Sequence, residues 1–336
     1  MTGPAVRFAF TDEQRELALA VREMLDKECS PGRLRESWAG DGFDSRRWQA
    51  LADMGVLGLL VSEDQGGLGL GDTDAVLVWQ ECGRAAVPEP VLDTTVAAPL
   101  LGEVTSDVIS LIHPLHPHAL AADHADRILS LREDRGGTVL LDARDPAVEL
   151  RPVPSVDASR HLTKIRSGRE SLLSATTSRG QNEVGVAVNR AVVAHAAALC
   201  GLGERMLDLT VAYVKERHQF GRPIGSFQAV KHHCADALLA LELARPLVWR
   251  AAWSIEHGDP AASVHASMAK ARASEAALEV ARRALQCHAA IGYTTEYELH
   301  MYMKRAWAWA RAWGDPAHHY DRIASATVDP EESADG

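Results

Sequence analysis

The stretch Glu216-Arg217-His218-Gln219-Phe220-Gly221-Arg222-Pro223-Ile224-Gly225-Ser226-Phe227-Gln228 brings together the side chains best suited to hold an anion. The Arg217 guanidinium stays charged at any physiological pH and can grip phosphate oxygens through paired hydrogen bonds. Gln228 falls just inside an expected helix start, where free backbone N–H groups favour negative charge. Ser226 is expected to cap that start, and Pro223 to end the preceding helix. A phosphate-bearing ligand is the chemistry these residues could serve; on the residues alone, a helix–helix loop with solvated charges is the better reading. A second polar cluster, Gln286 to Tyr293, follows two further helical passes. Acids and imidazoles that could move a proton gather near the end of the chain: Glu296, Glu298, His300, Asp315 and His318. Farther upstream, His113-Pro114-Leu115-His116-Pro117-His118 has the residue type for a metal. Its prolines break any regular ligand spacing and no carboxylate pattern accompanies it, so it reads as a solvated loop without metal.

The elements that must position these residues begin with bulk properties. A chain of 336 residues forms two or three packed units. Its formal charge of −11 and the lack of a Lys/Arg run exclude nucleic acid as a partner. Cys29, Cys82, Cys200, Cys234 and Cys287 are widely spread with no CxxC pair, as for reduced thiols in a reducing compartment. Met1 to Phe10 lacks the basic and apolar stretches of a signal peptide, and the uncharged run Ala191 to Gly203 falls short of the ~20 residues needed to span a bilayer. The expectation is a cytoplasmic protein with no membrane partner.

Phe8 to Leu101 reads as helical. Thr11-Asp12-Glu13-Gln14 has capping-box spacing, followed by Leu17, Val21, Met24 and Leu25 along one face. Further helices are expected over Asp44 to Met54 and Asp72 to Arg84, with the glycines from Gly66 to Gly71 forming a loop rather than a nucleotide-binding fingerprint. Short β-branched runs at Arg127 to Arg132, Thr138 to Leu141, Val148 to Leu150 and Leu162 to Ile165 mark a small β domain, with turns at Arg135-Gly136-Gly137 and Asp145-Pro146. Four long helical passes follow: Asn189 to Glu216, Phe227 to His257, one opened by Asp259-Pro260 and reaching Ala290, and one opened by Thr295-Glu296-Tyr297-Glu298 and ending near Gly314. Trp307, Trp309 and Trp313 cannot share one narrow face of the last pass, so some are expected in a core and some at an interface.

The first motif resembles the "ERxxFGxPIxxFQ" signature of acyl-CoA dehydrogenases. "MGVLGLLVSEDQGGLGLG" looks like the amino-terminal helical domain of that family, and Gln286 to Tyr293 resembles its "QxxGGxGY". The resemblance implies a mainly α fold with a small β domain. It places an N-terminal helical domain at residues 1–104, a shortened middle β domain at 105–185, a C-terminal four-helix bundle at 186–325 and a disordered tail at 326–336. It also implies FAD, with Arg217 on the diphosphate and Phe220, Gln228, Gln286 and Gly292 as further cofactor-binding positions, and with electrons passing to an electron-transferring flavoprotein.

Three departures accompany the resemblance. Ala289 and Ala290 replace paired glycines, removing space at the diphosphate. The "TEPxAGSD" and "KxWIxN" segments that wall the flavin ring are missing. The catalytic glutamate position is taken by Trp313, and the alternative position on the first bundle helix, within Val188 to Ala191, carries no carboxylate; Asp315 is the nearest acid and the candidate base. The function implied is α,β-desaturation of an acyl thioester, carried by coenzyme A or a carrier protein, with this chain one subunit of a mixed tetramer sharing the flavin site with a homologue. A flavin-free scaffold subunit and a non-redox acyl-thioester dehydratase or isomerase are the competing readings.

Overall fold

The computed structural model describes residues 9–40, 42–132, 137–146, 148–167 and 181–328. Helix α1 (Asp12–Glu28) starts with the expected capping box: the Gln14 N–H donates to Thr11 Oγ1 at 3.2 Å, and the Thr11 N–H to Gln14 Oε1 at 2.9 Å. Helices α2 (Pro31–Ala39), α3 (Ser45–Asp53), α4 (Asp72–Arg84) and α5 (Val91–Leu101) complete the amino-terminal unit. Helix α4 has the bounds read from the sequence, and Asp44 caps α3 by accepting from the Arg46 N–H at 3.0 Å. Helix α5 carries no polar stripe because it is buried almost all round, between the helical unit and the strands.

The β domain holds six strands in two three-stranded sheets. In one sheet β1 (Ile109–Ile112) runs parallel to β3 (Arg127–Arg132), which pairs antiparallel with β4 (Gly137–Asp142). In the other, β6 (Leu162–Ser167) lies between β2 (His118–Leu120) and β5 (Val148–Pro152), antiparallel to both. The last four strands fall where the sequence placed them; β1 and β2 are additional. The histidine-proline segment joins those two strands directly, closed by paired backbone hydrogen bonds between His113 and His116 of 3.0 and 2.7 Å. The expectation of a solvated loop is corrected here: His113 and His116 are buried, at 7% and 4% exposure. The turn residues Arg135 and Gly136 lie outside the described residues.

Three long helices form the rest of the core: α6 (Gln181–Glu216), α7 (Gln228–Glu256) and α8 (Ala262–His288). By length and composition α6 could cross a membrane, but its most apolar window is 78% buried among the other elements. Three starts differ from the sequence reading: α6 begins at Gln181, eight residues before the expected Asn189. Helix α8 begins two residues after Pro260, because Asp259 Oδ1 accepts from the Ala261 N–H at 2.9 Å and turns the chain first. The fourth pass begins at Leu299 without a side-chain cap, so Thr295 and Glu298 form no capping box. That pass divides into α9 (Leu299–Trp309) and α10 (Pro316–Thr327), whose N-cap is Asp315. Residues 326 and 327, assigned to the tail, are therefore helical, and 329–336 lie outside the described residues. Of the three tryptophans, Trp309 and Trp313 are in the core and Trp307 is 42% exposed.

Helices α4 and α6 cross at two glycines. A Cβ on Gly201 would lie 1.8 Å from the Gln80 carbonyl oxygen, and one on Gly83 would lie 2.0 Å from that of Ala198. No side chain fits between backbones at that spacing. Gly201→Ala should therefore destabilise the fold by about 3 kcal/mol, at the upper end for overpacking. Gly185→Ala, in the same helix with open space around it, should stabilise by about 0.5–1 kcal/mol. Urea denaturation of the two variants checks both.

Candidate active site

Helix α6 ends at Glu216 and the chain reverses in a two-residue hairpin, β7 (His218–Gln219) against β8 (Arg222–Pro223). Phe220 and Gly221 form its turn, with φ of 54° and 76°. Positive φ at both central residues matches a tight hairpin turn, and Gly221 adopts it without strain. The Arg217 backbone is fixed at both ends, its N–H donating to Tyr213 O and its carbonyl accepting from the Ile224 N–H, each at 2.8 Å. Its guanidinium is exposed and has no hydrogen bond or ion pair among the described residues. Gln228 is the exposed first residue of α7, whose N-cap Phe227 offers no side-chain acceptor. The expected cap from Ser226 does not form; that residue closes a short 3₁₀ turn, Ile224–Ser226. The result is a fixed backbone presenting a free guanidinium, a free amide and open helix N–H groups, a donor set that fits a diphosphate. Phe220, 90% exposed, stands beside it.

The second cluster is adjacent. The Tyr213 ring, one helical turn before Arg217, stacks on His288 with centroids 4.4 Å apart. Gln286 is exposed near the end of α8, and a 3₁₀ turn covers Ala289–Tyr293. Gly292 is buried, and a Cβ there would lie 2.9 Å from His288 Cβ. Ala289 sits at φ 53°, ψ −139°, a region that suits glycine. Such a residue carries roughly 1–3 kcal/mol of strain. The substitution of glycine by alanine is thus a conformational cost as well as a steric one.

Trp313, at the family's glutamate position, is fully buried with φ 58°. His116 stacks on it at 5.1 Å and His113 at 5.7 Å, and His195 of α6 lies 6.1 Å away. The Trp313 N–H donates to Leu115 O at 3.1 Å, locking the β1–β2 turn onto the α9–α10 turn. Below it, the buried Lys270 ammonium donates to Ser274 Oγ at 3.0 Å, Ala310 O at 3.2 Å and Gly314 O at 3.0 Å. His319 Nε2 donates to Trp313 O at 2.9 Å. Burial brings the Lys270 pKa down to about 7, opposed by the Asp315 charge. The space around Trp313, where the family resemblance puts the base, is therefore packed with rings.

None of the acids read from the sequence enters this cluster. Asp315 is exposed, and its Oδ1 accepts from the His318 N–H at 2.9 Å as the cap of α10. Glu298 lies 3.7 Å from Arg205, and His300 packs edge-on against Trp38. The sequence reading missed His195, Lys270 and His319. A histidine inside the apolar run Ala191 to Gly203 and a lysine among alanines in α8 were the available signals.

Burial holds the His116 pKa well below the ordinary value and drives those of His195 and His319 down to about 3. Below about pH 6.5 the unfolded chain binds protons that these folded imidazoles refuse, so stability should fall as pH drops from 6.5 towards 3. Asp93 acts in the opposite sense. Its pKa is raised by burial to about 7, so its contribution is full at low pH and is lost as pH rises from about 4 through 7. Melting temperature against pH should rise towards neutrality, more steeply in Asp93→Asn and less steeply in His195→Gln. Separately, Ala289→Gly should raise stability by about 1 kcal/mol in urea denaturation, by relieving positive-φ strain.

Comparison with known proteins agrees with this architecture. The acyl-CoA dehydrogenase N-terminal domain matches residues 11–107, and the acyl-CoA dehydrogenase C-terminal domain matches residues 179–326. The acyl-CoA dehydrogenase IpdE2 of Mycobacterium tuberculosis is 33% identical over 94% of this chain and 97% of its own. A steroid acyl-CoA dehydrogenase structure, the G363A variant of Tcur3481-Tcur3483, has a TM-score of 0.83 at 25% identity, covering 96% of this chain and 99% of that one. The ChsE4-ChsE5 complex from M. tuberculosis has the same fold, with a TM-score of 0.85 at 23% identity over 96% of this chain and 100% of that one. With both end domains matched and a relative aligned along nearly its whole length, the chain belongs to the acyl-CoA dehydrogenase family.

Proposed function

We propose that this chain supplies the diphosphate-binding side of a flavin site shared with a homologous chain, in an assembly that desaturates an acyl thioester. The observation that carries this reading is a mismatch between two regions. The donor set of Arg217, Gln228 and the α7 start is exposed and unpartnered, whereas Trp313 and its histidines fill the place of the base. A bound FAD would accept the hydride leaving the substrate β carbon. Arg217 and Gln228 would hold its diphosphate by charge-assisted and neutral hydrogen bonds, while Phe220 and Gly292 shape the surrounding backbone. The α proton needs a carboxylate beside the substrate. With Asp315 engaged as a helix cap, that carboxylate belongs to the partner chain.

Exposed Leu238, Leu239 and Leu243 on the outer face of α7, at 47%, 57% and 52%, give the partner an apolar surface to cover. The Tcur3481-Tcur3483 likeness supports a two-chain assembly and a substrate of the lipid or steroid class. Coenzyme A or a carrier protein would present the acyl group, and an electron-transferring flavoprotein would reoxidise the flavin, as the family resemblance implies. The plugged base position gives a flavin-free scaffold as the second reading.

Purified alone, the chain should be colourless; purified with its co-expressed homologue it should carry bound flavin absorbance. Arg217→Ala should lower flavin occupancy of that assembly at least tenfold, with an unchanged melting temperature because the guanidinium has no hydrogen bond or ion pair among the described residues. Unchanged occupancy would remove Arg217 from the site, and a colourless but stable complex would support the scaffold. Asp315→Asn keeps a capping side chain, so turnover and stability should both survive; a collapse of turnover with stability intact would make Asp315 the base.

A further inference from the structure

The sulphurs of Cys234 and Cys287 meet across the seam between α7 and α8. Cys234 is partly exposed, whereas Cys287, the second-to-last residue of α8, is buried. Both line one narrow gap, shared with Leu207, Thr210, His233 and Arg283, too tight to admit a water molecule. The Cys287 thiol donates to the Cys234 sulphur, and this bond brings the Cys234 pKa down to about 7 against the opposing effect of burial. The same bond, with burial added, pushes Cys287 up. Arg283 lies one helical turn before Cys287 and is held in place by His233 Nδ1 at 3.1 Å and Asp236 Oδ2 at 2.8 Å. Its charge acts on the Cys287 thiol, where it opposes the upward shift. The other cysteines differ in kind. Cys29, Cys82 and Cys200 are buried singly, and burial raises their pKa values, to about 12 for Cys29 and Cys200.

We propose that Cys234 and Cys287 are a modification site: a dithiol that a peroxide converts to a reversible disulfide fastening the end of α8 to α7. The Cys234 thiolate attacks one peroxide oxygen; the O–O bond breaks, hydroxide leaves and takes a proton from solvent, and Cys234 becomes a sulfenic acid. The Cys287 sulphur then attacks Cys234, the S–O bond breaks, and the departing hydroxide takes the Cys287 thiol proton to leave as water. Two thiols lose two electrons in all, and one hydrogen peroxide becomes two waters. The accessible sulphur is also the one with the lower pKa, so it reacts with the peroxide first, and the buried sulphur lining the same gap resolves it. A disulfide needs sulphurs ~2.05 Å apart, so closure draws the last turn of α8 towards α7. Gln286 immediately precedes Cys287, so on the shared-flavin reading the bond also displaces a cofactor contact.

The test treats the purified chain, alone and in its assembly, with a small excess of hydrogen peroxide, followed by alkylation and peptide mass spectrometry. The expected result is a Cys234–Cys287 cross-linked peptide, with two of the five thiols lost, reversed by dithiothreitol and absent from both C234S and C287S. Cys29, Cys82 and Cys200 should remain alkylatable after denaturation. Free Cys234 and Cys287 after treatment, a Cys234 sulfenic acid trapped by dimedone without the cross-link, or equal oxidation of the three isolated cysteines would each overturn the proposal. In the assembly, flavin content should fall on oxidation of the wild type but not of C287S. A cross-link with unchanged flavin content leaves the disulfide standing and removes Gln286 from the flavin site.

Discussion

The three parts of this chain converge on one buried cation. The Arg305 guanidinium, on α9, donates to Asp157 in the β domain, to Ser159 Oγ at 2.5 Å, and to the Val87 carbonyl of the amino-terminal unit at 2.7 Å. It is 1% exposed, and Asp157 is fully buried. A charge so deeply desolvated is tolerable only if its donors and its counter-ion are satisfied together. The arrangement thus demands that helical unit, strands and bundle hold one mutual orientation. Removing either partner would leave an uncompensated interior charge, whose cost is typically about 3–5 kcal/mol. Arg160 nearby shows the cost in another way: burial lowers its pKa to about 10 despite Asp157 and Asp93.

That orientation separates two surfaces with opposite characters. On the outside, the hairpin after α6 displays Phe220, edge-on to Phe227, and Arg217, whose guanidinium has no hydrogen bond or ion pair among the described residues. Inside, the short turn between β1 and β2 carries two imidazoles onto Trp313. Lys270 and His319 hold the Trp313-Gly314 backbone from beneath. That contrast between an exposed cation and a filled interior is what favours the proposal of a site shared with a second chain.

Most of the architecture was readable from local signals. The Thr11 box, the bounds of α4 and the four later strands rest on short-range hydrogen bonding and alternation, which a sequence displays directly. The readings that failed depended on distant partners. The His113 to His118 segment looks solvated until Trp313, two hundred residues later, arrives to stack on it. Asp259 and Thr295 looked like helix caps by composition, but neighbouring backbone geometry decided otherwise. The Arg217 to Gln228 cluster could be singled out because its residues are contiguous. The packed interior of the base position was only half legible: Trp313 marks a missing carboxylate, but nothing local says that histidines from two other elements would fill the space around it.

The glycine crossing of α4 and α6 has a consequence for biosynthesis. Gln80 and Gly201 touch through bare backbone, yet more than a hundred residues separate them along the chain. A ribosome therefore releases the whole amino-terminal unit and the strands before the helix that covers α4 has emerged. Until then the face of α4 that meets α6 lacks its cover, and contacts so distant in sequence form slowly. The nascent polypeptide passes through an interval of apolar exposure that only completion of α6 can end, which makes that helix the moment of commitment in the folding of this chain.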